Sequence, residues 1–169
     1  IIIIGFCIKM FWLDFSNSYF RSVFSIAIVS IIMAFFLALS EMFGGKSKTF
    51  DDVSIRDILL LGLAQTLAII PGVSRSGVTL TSALFSGIKR KTAARLSFLI
   101  GIPAISISAL VELSTLYQSL NIVDFIPTLV GIFSSFLSSI LAIDFLLRFL
   151  GNNNIFIFVY YRLAFGMLI

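Results

Sequence analysis

The residues best suited to chemistry lie in one short stretch, 71–79, with the sequence Pro-Gly-Val-Ser-Arg-Ser-Gly-Val-Thr. It supplies three hydroxyl groups, a guanidinium, two glycines and a proline within an otherwise apolar region. Gly72 and Gly77 allow a tight turn that brings backbone N–H groups close to a ligand. Free N–H groups at a helix N-terminus, together with hydroxyls and an arginine, form an anion site, most naturally for phosphate. The alternative is a polar kink between two packed helices, in which an arginine is costly unless it has a partner.

Arg75 is the residue that we expect to be central to catalysis. Its guanidinium can bind two phosphate oxygens at once and stabilise the charge that develops during phosphoryl transfer. The alternative is an ion pair with an acidic neighbour. Ser74 and Ser76 can donate hydrogen bonds to phosphate, and we place Ser74 beside Arg75 in the catalytic set. Because a serine nucleophile needs an adjacent base and none lies nearby in the sequence, both serines are assigned to binding and not to attack.

Other polar residues near the stretch have a functional and a structural interpretation. Gly72 is expected to bind substrate through its backbone. Thr79 either binds phosphate or bonds back to its own helix, and the two alternatives are equal. Gln65 either lines the binding pocket or makes a hydrogen bond between helices, with the structural alternative slightly favoured. Arg162 lies in the last apolar run and is a functional candidate, with pairing to Asp144 or extension to the membrane interface as the alternatives.

The composition indicates an integral membrane protein. Of the 169 residues, 59% are hydrophobic and only 12% are charged, and the mean hydropathy is +1.13, more apolar than a soluble core requires. The net charge of +4 is ordinary for basic cytoplasmic loops and does not indicate nucleic acid. The single Cys7 and the lack of histidine exclude an internal disulfide, a cysteine cluster and any histidine-based site. No cluster of metal ligands is visible in the sequence.

The positions of the apolar runs predict an all-α, polytopic helical bundle that forms a single membrane domain over 1–169. An apolar tail at 1–11 and an aromatic interface stretch at 12–21 precede the first span, and an outer loop is predicted at 118–124. Pro103 predicts a kink. The predicted spans are 22–43, 96–117, 125–147 and a last short one at 155–169.

A re-entrant helix-turn-helix hairpin is predicted over about 57–88. Its two apolar halves, 57–70 and 76–88, would be only about 21 and 20 Å long as helices, too short to cross a layer of about 30 Å. Pro71 ends the first half, and Ser76 is the predicted N-cap of the second. A broken spanning helix is the alternative. Basic residues flank the segment on both sides, and the positive-inside rule then places both flanks in the cytoplasm, which favours the hairpin.

The run Gly62–Thr79 resembles the second signature of the bacterial undecaprenyl-diphosphatase family, the bacitracin-resistance phosphatases. The signature is Pro-Gly-x-Ser-Arg-Ser-x-x-Thr, and all six fixed positions match. The stretch 89–103 and the pair Tyr161-Arg162 are also similar to the family. Because the chain opens at Ile1 inside an apolar run, we expect it to be the C-terminal portion of a longer protein.

The resemblance implies an inverted-repeat membrane fold in which two re-entrant hairpins meet in a central pocket. It implies hydrolysis of undecaprenyl diphosphate in the bacterial inner membrane, which recycles the lipid carrier for peptidoglycan and gives bacitracin resistance. A divalent cation, magnesium or calcium, is implied by the resemblance alone. The family's first signature, with its glutamates and histidine, is absent, so this chain is expected to bind phosphate but not to hydrolyse it alone. A homodimer stays open, and a polyprenyl-phosphate or anion transporter is the alternative function.

Overall fold

The computed structural model describes residues 22–119 and 122–169. The predicted tail 1–11, the interface stretch 12–21 and the centre of the outer loop, 120–121, lie outside these residues. The described residues form six α-helices, and their only β pairing is one isolated bridge between Lys48 and Ile88. The all-α prediction is therefore confirmed. The helices are α1 (Val23–Phe43), α2 (Ile55–Thr66), α3 (Arg75–Phe85), α4 (Arg90–Ser119), α5 (Ile122–Asn152) and α6 (Phe156–Leu168).

Within the described residues three helices are long and apolar enough to cross a membrane, and the chain is a polytopic membrane protein. The spans are Val23–Phe43, Arg90–Leu113 and Ile126–Asn152, and α6 is a shorter apolar helix of 13 residues. The α4 helix begins six residues earlier than predicted and runs through Pro103, where the predicted kink stays a prediction. The earlier start has a physical reason, because Arg90 at the beginning of α4 is tied to Glu41 of α1.

The first span packs through one face of small and apolar residues. Ser22 caps α1, since its side chain accepts a hydrogen bond from the N–H of Ser25 at 3.1 Å. The helix crosses α6 closely at Gly166, where an added Cβ would lie 3.1 Å from the carbonyl oxygen of Ala27. The buried residues of α1 recur every three or four positions, as expected of one helix face; they are Ala27, Ser30, Met33, Ala34, Leu37, Ser40 and Glu41.

Helices α2 and α3 fold back on each other as a hairpin. At its open end the N–H groups of Ser47 and Lys48 donate to the carbonyl of Gly87 at 2.9 and 3.0 Å, and the N–H of Lys89 donates to the carbonyl of Lys48 at 3.0 Å. The chain before the hairpin therefore meets the chain after it. The placement of the tip inside a membrane stays a prediction.

The ends of the hairpin helices differ from the prediction in two places. The α-helix ends at Thr66, because a 3-10 turn at Leu67–Ile69 already tightens the chain before Pro71. The prediction of Ser76 as the N-cap of the second helix is wrong, since Ser74 caps α3 and Ser76 lies in its first turn. Ser74 has extended backbone angles, and the helical angles begin directly after it.

Both flanks of the hairpin should be accessible from one side of the membrane. We expect single cysteines at positions 48 and 91, in a Cys7-free background, to react with a membrane-impermeant thiol reagent from the same face. The bridge between Lys48 and Ile88 is the reason, because it holds the two flanks together. The measurement is labelling of intact cells against inverted vesicles. Labelling from opposite faces would show that the segment crosses the membrane as a broken helix.

Asp57 at the open end of the hairpin, outside the three spans, closes a capping box with Ser54. The N–H of Ser54 donates to a carboxylate oxygen of Asp57 at 3.0 Å, and the N–H of Asp57 donates to the hydroxyl of Ser54 at 3.2 Å. The Nζ atom of Lys48 lies 3.0 Å from both carboxylate oxygens. The hydrogen bond from the Ser54 backbone, followed by that from Lys48, lowers the pKa of Asp57 from 3.8 to about 2.

The stabilisation from Asp57 should be complete above about pH 4 and lost as the pH falls through about 2. The sign follows because the folded state binds this proton more weakly than the unfolded state does. We expect Asp57→Asn to destabilise the protein by about 1 kcal/mol at pH 6. We also expect the free energy of unfolding of this variant to change less between pH 4 and pH 2 than that of the unaltered protein. Thermal unfolding of the detergent-solubilised protein at several pH values measures this. Parallel pH profiles for the two proteins would contradict it.

Candidate functional site

The tip of the hairpin is a tight turn that only glycine fits at position 72. Gly72 has φ +90°, in the left-handed region that favours glycine. An added Cβ would lie 2.9 Å from the carbonyl oxygen and 3.2 Å from the Cα atom of Ile26, both backbone atoms of α1. The N–H of Val73 donates to the carbonyl of Ile70 at 3.0 Å and closes the turn. Gly72 therefore lets the tip lie directly against the first span.

The N-terminus of α3 leaves the turn with its donors oriented for an anion. The hydroxyl of Ser74 accepts a hydrogen bond from the N–H of Gly77 at 3.1 Å. The N–H groups of Arg75 and Ser76 have no carbonyl partner within the described residues, as is usual in a first helical turn. The hydroxyl of Ser76 lies 3.4 Å from that of Ser74. Two hydroxyls and two free N–H groups thus lie together at the positive end of a helix dipole.

A cavity of about 420 Å³ opens at this turn. Its polar end is formed by the turn and α3, with Ser74 and Ser76, and by Arg162 of α6. Its apolar walls come from α1, α4, α5 and α6 and include Leu37, Phe98, Leu146, Leu150 and Phe158. The cavity therefore combines a polar, positively charged end with a long apolar wall, a combination that suits an amphiphile with an anionic head.

Arg162 lies against the turn. Its Nη2 atom donates a hydrogen bond to the carbonyl of Gly72 at 2.8 Å. Its Nη1 atom lies 2.8 Å from the point that a Cβ on Gly77 would occupy, so the guanidinium covers the first turn of α3. Asp144, an alternative partner for Arg162 in the sequence, instead pairs with Arg148 at 2.9 Å. The structure therefore brings a second arginine to the predicted anion site.

Arg75 is half-buried at the first helical position of α3 but is not among the residues that line the cavity. Within the described part of the chain its side chain makes no hydrogen bond and no ion pair, so the predicted alternative of an acidic partner is not seen there. Of the predicted site residues, Gly72, Ser74 and Ser76 line the cavity directly. Arg75 thus lies next to the anion site in the sequence, and its guanidinium has no hydrogen-bond or ion-pair partner among the described residues.

Thr79 is fully buried behind the cavity. Its hydroxyl lies 3.0 and 3.1 Å from the carbonyls of Arg75 and Ser76, and it also forms a short hydrogen bond with the hydroxyl of Ser97. Ser97, on α4, donates to the carbonyl of Ser76 at 3.2 Å and lines the cavity. The described contacts of Thr79 are those of the back-bonding alternative, and they tie the first turn of α3 to α4.

Gln65 also lies away from the cavity lining. Its amide nitrogen donates to the carbonyl of Ile100 on α4 at 3.5 Å, which is the predicted bond between helices. Its Oε1 atom is buried and has no partner among the described residues. Gln65 therefore holds the end of α2 against α4.

Ser30 of α1 is a cavity residue that the sequence reasoning missed. It is buried, lines the cavity and makes no side-chain hydrogen bond within the described residues. The sequence carried no signal for it, because a serine in a spanning helix usually bonds to its own backbone. Its hydroxyl is therefore available to a polar group in the cavity.

The donors of the cavity do not fit a divalent cation. The residues that line it include hydroxyls, a phenol and a guanidinium, but no carboxylate among the described residues. Hard cations such as magnesium and calcium require several oxygen ligands, usually with carboxylates among them, and Arg162 adds repulsion. The described residues also contain no group of three or more acidic, cysteine or histidine side chains placed to hold a metal ion. The implied cation thus stays a prediction that rests on the resemblance alone.

Comparison with known proteins finds one family and many relatives. The family model for the bacitracin resistance protein BacA matches residues 1–168. The chain is 61% identical to an undecaprenyl-diphosphatase of Prochlorococcus marinus (strain NATL2A), over all of this chain and 61% of that protein. It is 50% identical to an undecaprenyl-diphosphatase of Trichodesmium erythraeum (strain IMS101), over all of this chain and 54% of that protein. The chain thus spans somewhat over half the length of the curated relatives that it matches.

Proposed function

Because the chain belongs to the bacitracin resistance protein BacA family, we propose that the protein hydrolyses undecaprenyl diphosphate to undecaprenyl phosphate and inorganic phosphate. The observation that carries the proposal is the cavity at the hairpin tip, where Ser74, Ser76 and Arg162 surround the free N–H groups of α3. The relatives named undecaprenyl-diphosphatase support the same activity. In a bacterium this reaction would return the lipid carrier to peptidoglycan synthesis, and the place of the protein would be the inner membrane.

The described residues supply the phosphate-binding side of the reaction. The diphosphate lies at the end of the cavity, where the hydroxyls of Ser74 and Ser76 and the backbone N–H groups of α3 donate to its oxygens. Arg162 stabilises the negative charge that develops on the phosphoryl oxygens. The first isoprene units contact the apolar wall around Phe98 and Phe158. Arg75 has no competing partner, so its side chain is free to turn toward the bound diphosphate.

The serines of the turn bind and do not attack. The hydroxyl of Ser74 is engaged as the cap of α3, and no carboxylate lines the cavity among the described residues to act as its base. The transporter alternative receives no support from the comparisons, since the family and the relatives name a resistance protein and phosphatases. The homodimer stays a prediction.

Phosphate release by the purified full-length protein tests this function. We expect inorganic phosphate from undecaprenyl diphosphate in detergent micelles, and we expect Arg75→Ala to lower the rate about 100-fold because one charged donor to the phosphate is lost. Arg148→Ala is the matched control, since that arginine lies on α5 in an exposed pair. No release by the unaltered protein would contradict the function, whereas full activity in Arg75→Ala would contradict only the role of Arg75.

A further inference from the structure

A second cavity, of about 720 Å³, lies between α1, α2 and α3. It shares no lining residue with the cavity at the hairpin tip. Along the first arm of the hairpin it extends from Arg56 at the open end to Leu67 near the tip. At 1.5 Å per residue this is about 16 Å of helix. We call it the hairpin groove, and it is a long depression that is charged at one end and apolar along the rest.

The charged end of the hairpin groove has two basic side chains and only one acidic side chain, so it carries a net positive charge. Lys48, Arg56 and Asp57 line this end. Lys48 is paired with Asp57 at 3.0 Å, whereas Arg56 is exposed and makes no hydrogen bond or ion pair within the described residues. An unpaired guanidinium has a planar fork of donors that binds two oxygens of a phosphate at once. This end of the groove is therefore complementary to a phosphate ester.

The remainder of the hairpin groove is apolar and open on one side. Phe36 of α1, Leu60 of α2, Leu67 of the 3-10 turn and Phe85 of α3 line it and are each 43–49% exposed. Phe36 lies on a membrane span, and the apolar surface of a span is covered by acyl chains, so lipid borders this side of the groove. A groove that joins a phosphate-binding end to an apolar wall of this length has the chemistry of a phospholipid site.

We propose that the hairpin groove binds one anionic glycerophospholipid of the surrounding membrane. The lipid phosphate contacts Arg56, and one acyl chain lies along Phe36, Leu60 and Phe85. A bound lipid there would hold α2 and α3 against the first span. This site is separate from the tip cavity, and the inference does not depend on the proposed phosphatase activity.

The test is retention of lipid by the full-length protein, measured by native mass spectrometry. The protein is extracted from nanodiscs that contain equal amounts of phosphatidylglycerol and phosphatidylcholine. We expect preferential retention of one phosphatidylglycerol, and we expect Arg56→Gln to reduce that retention about fivefold, the factor that corresponds to about 1 kcal/mol for one basic residue at an anionic membrane surface. Arg95→Gln is the matched control because Arg95 is exposed but does not line the groove.

A second variant separates charge from space. Ala64 lies in the groove wall, and Ala64→Phe should displace the lipid while Arg56 is kept. Retention of phosphatidylglycerol by Ala64→Phe should fall to the level seen for Arg56→Gln. The proposal would be overturned if the unaltered protein retained no lipid, or if it retained both lipids equally. It would also be overturned if Arg56→Gln and Arg95→Gln lost phosphatidylglycerol to the same extent. Displacement of phosphatidylglycerol by undecaprenyl phosphate at equal concentration would also overturn it, because the groove would then be a second site for the polyprenyl lipid.

Discussion

Replacing Arg162 by alanine should lower phosphate release from undecaprenyl diphosphate by about 100- to 1,000-fold in the full-length protein. Arg162 is the arginine whose guanidinium already lies over the first turn of α3, with Nη2 at 2.8 Å from the carbonyl of Gly72. It lines the cavity together with Ser74 and Ser76. In a half-buried site with apolar walls, a positive charge at this point is worth far more than in water. Its loss should therefore fall mainly on kcat.

The controls must separate the charge of Arg162 from its support of the turn. Arg162→Lys keeps the charge but loses the planar fork, so we expect a recovery of only about tenfold over Arg162→Ala. Thermal unfolding of each variant measures the structural part, which the single hydrogen bond to Gly72 limits to about 1–3 kcal/mol. If Arg162→Ala kept more than a third of the activity while Arg75→Ala lost it, the charge would be supplied by Arg75 alone.

The sequence singled out the motif as a candidate anion site and Arg162 as a separate functional candidate, but it did not bring the two together. Gly72, Ser74 and Ser76 belong to one continuous motif, so their position at the cavity follows from the turn itself. Arg162 lies 90 residues further along the chain from Gly72, and the two come together because α6 and the α3 arm of the hairpin both pack on α1. The motif pointed to Arg75, whereas the structure places the guanidinium of Arg162 in the cavity. A contact over that distance has no signature in spacing.

The hairpin itself was predictable because its helices are short and its flanks are basic. The exact cap was not, since Ser74 and Ser76 are both good N-cap residues and both lie next to the turn. The choice depends on the backbone after Gly72, whose left-handed φ leaves Ser74 extended and able to accept from Gly77. The hydrogen bonds of Thr79 and Gln65 could not be predicted either, because they depend on α4, which contributes Ser97 and Ile100 as their partners.

The C-terminal end of α1 is held by an ion pair between the buried Glu41 and Arg90, which the sequence did not indicate. Glu41 is only 4% exposed near the end of α1. The Nε atom of Arg90 donates to its two carboxylate oxygens at 3.0 and 3.1 Å, and Nη2 forms a further short bond. Lys46 lies 3.4 Å from the same carboxylate. The pair joins the end of α1 to the start of α4 across the base of the hairpin.

Removing the carboxylate alone should therefore destabilise the protein strongly. We expect Glu41→Ala to lower the free energy of unfolding by about 3 kcal/mol, because Arg90, whose side chain is only 31% exposed, then loses its carboxylate partner. The double variant Glu41→Leu/Arg90→Leu should recover most of that loss, since the unpaired guanidinium is removed and Lys46 keeps its hydrogen bond to the backbone carbonyl of residue 41. Unfolding of the full-length protein in mixed micelles, followed by far-UV circular dichroism, measures each value.

Asp144→Ala is the control for Glu41→Ala, because it removes the carboxylate of an exposed ion pair. Asp144 and Arg148 form a pair four residues apart on α5, and their side chains are 58% and 79% exposed. Such a pair contributes only about 0.3–0.5 kcal/mol, so the two acidic residues should differ at least fivefold in their effect on stability. Equal losses in Glu41→Ala and Asp144→Ala would show that water reaches the carboxylate of Glu41. The link between α1 and α4 would then depend on apolar packing, and the double variant would be no more stable than Glu41→Ala.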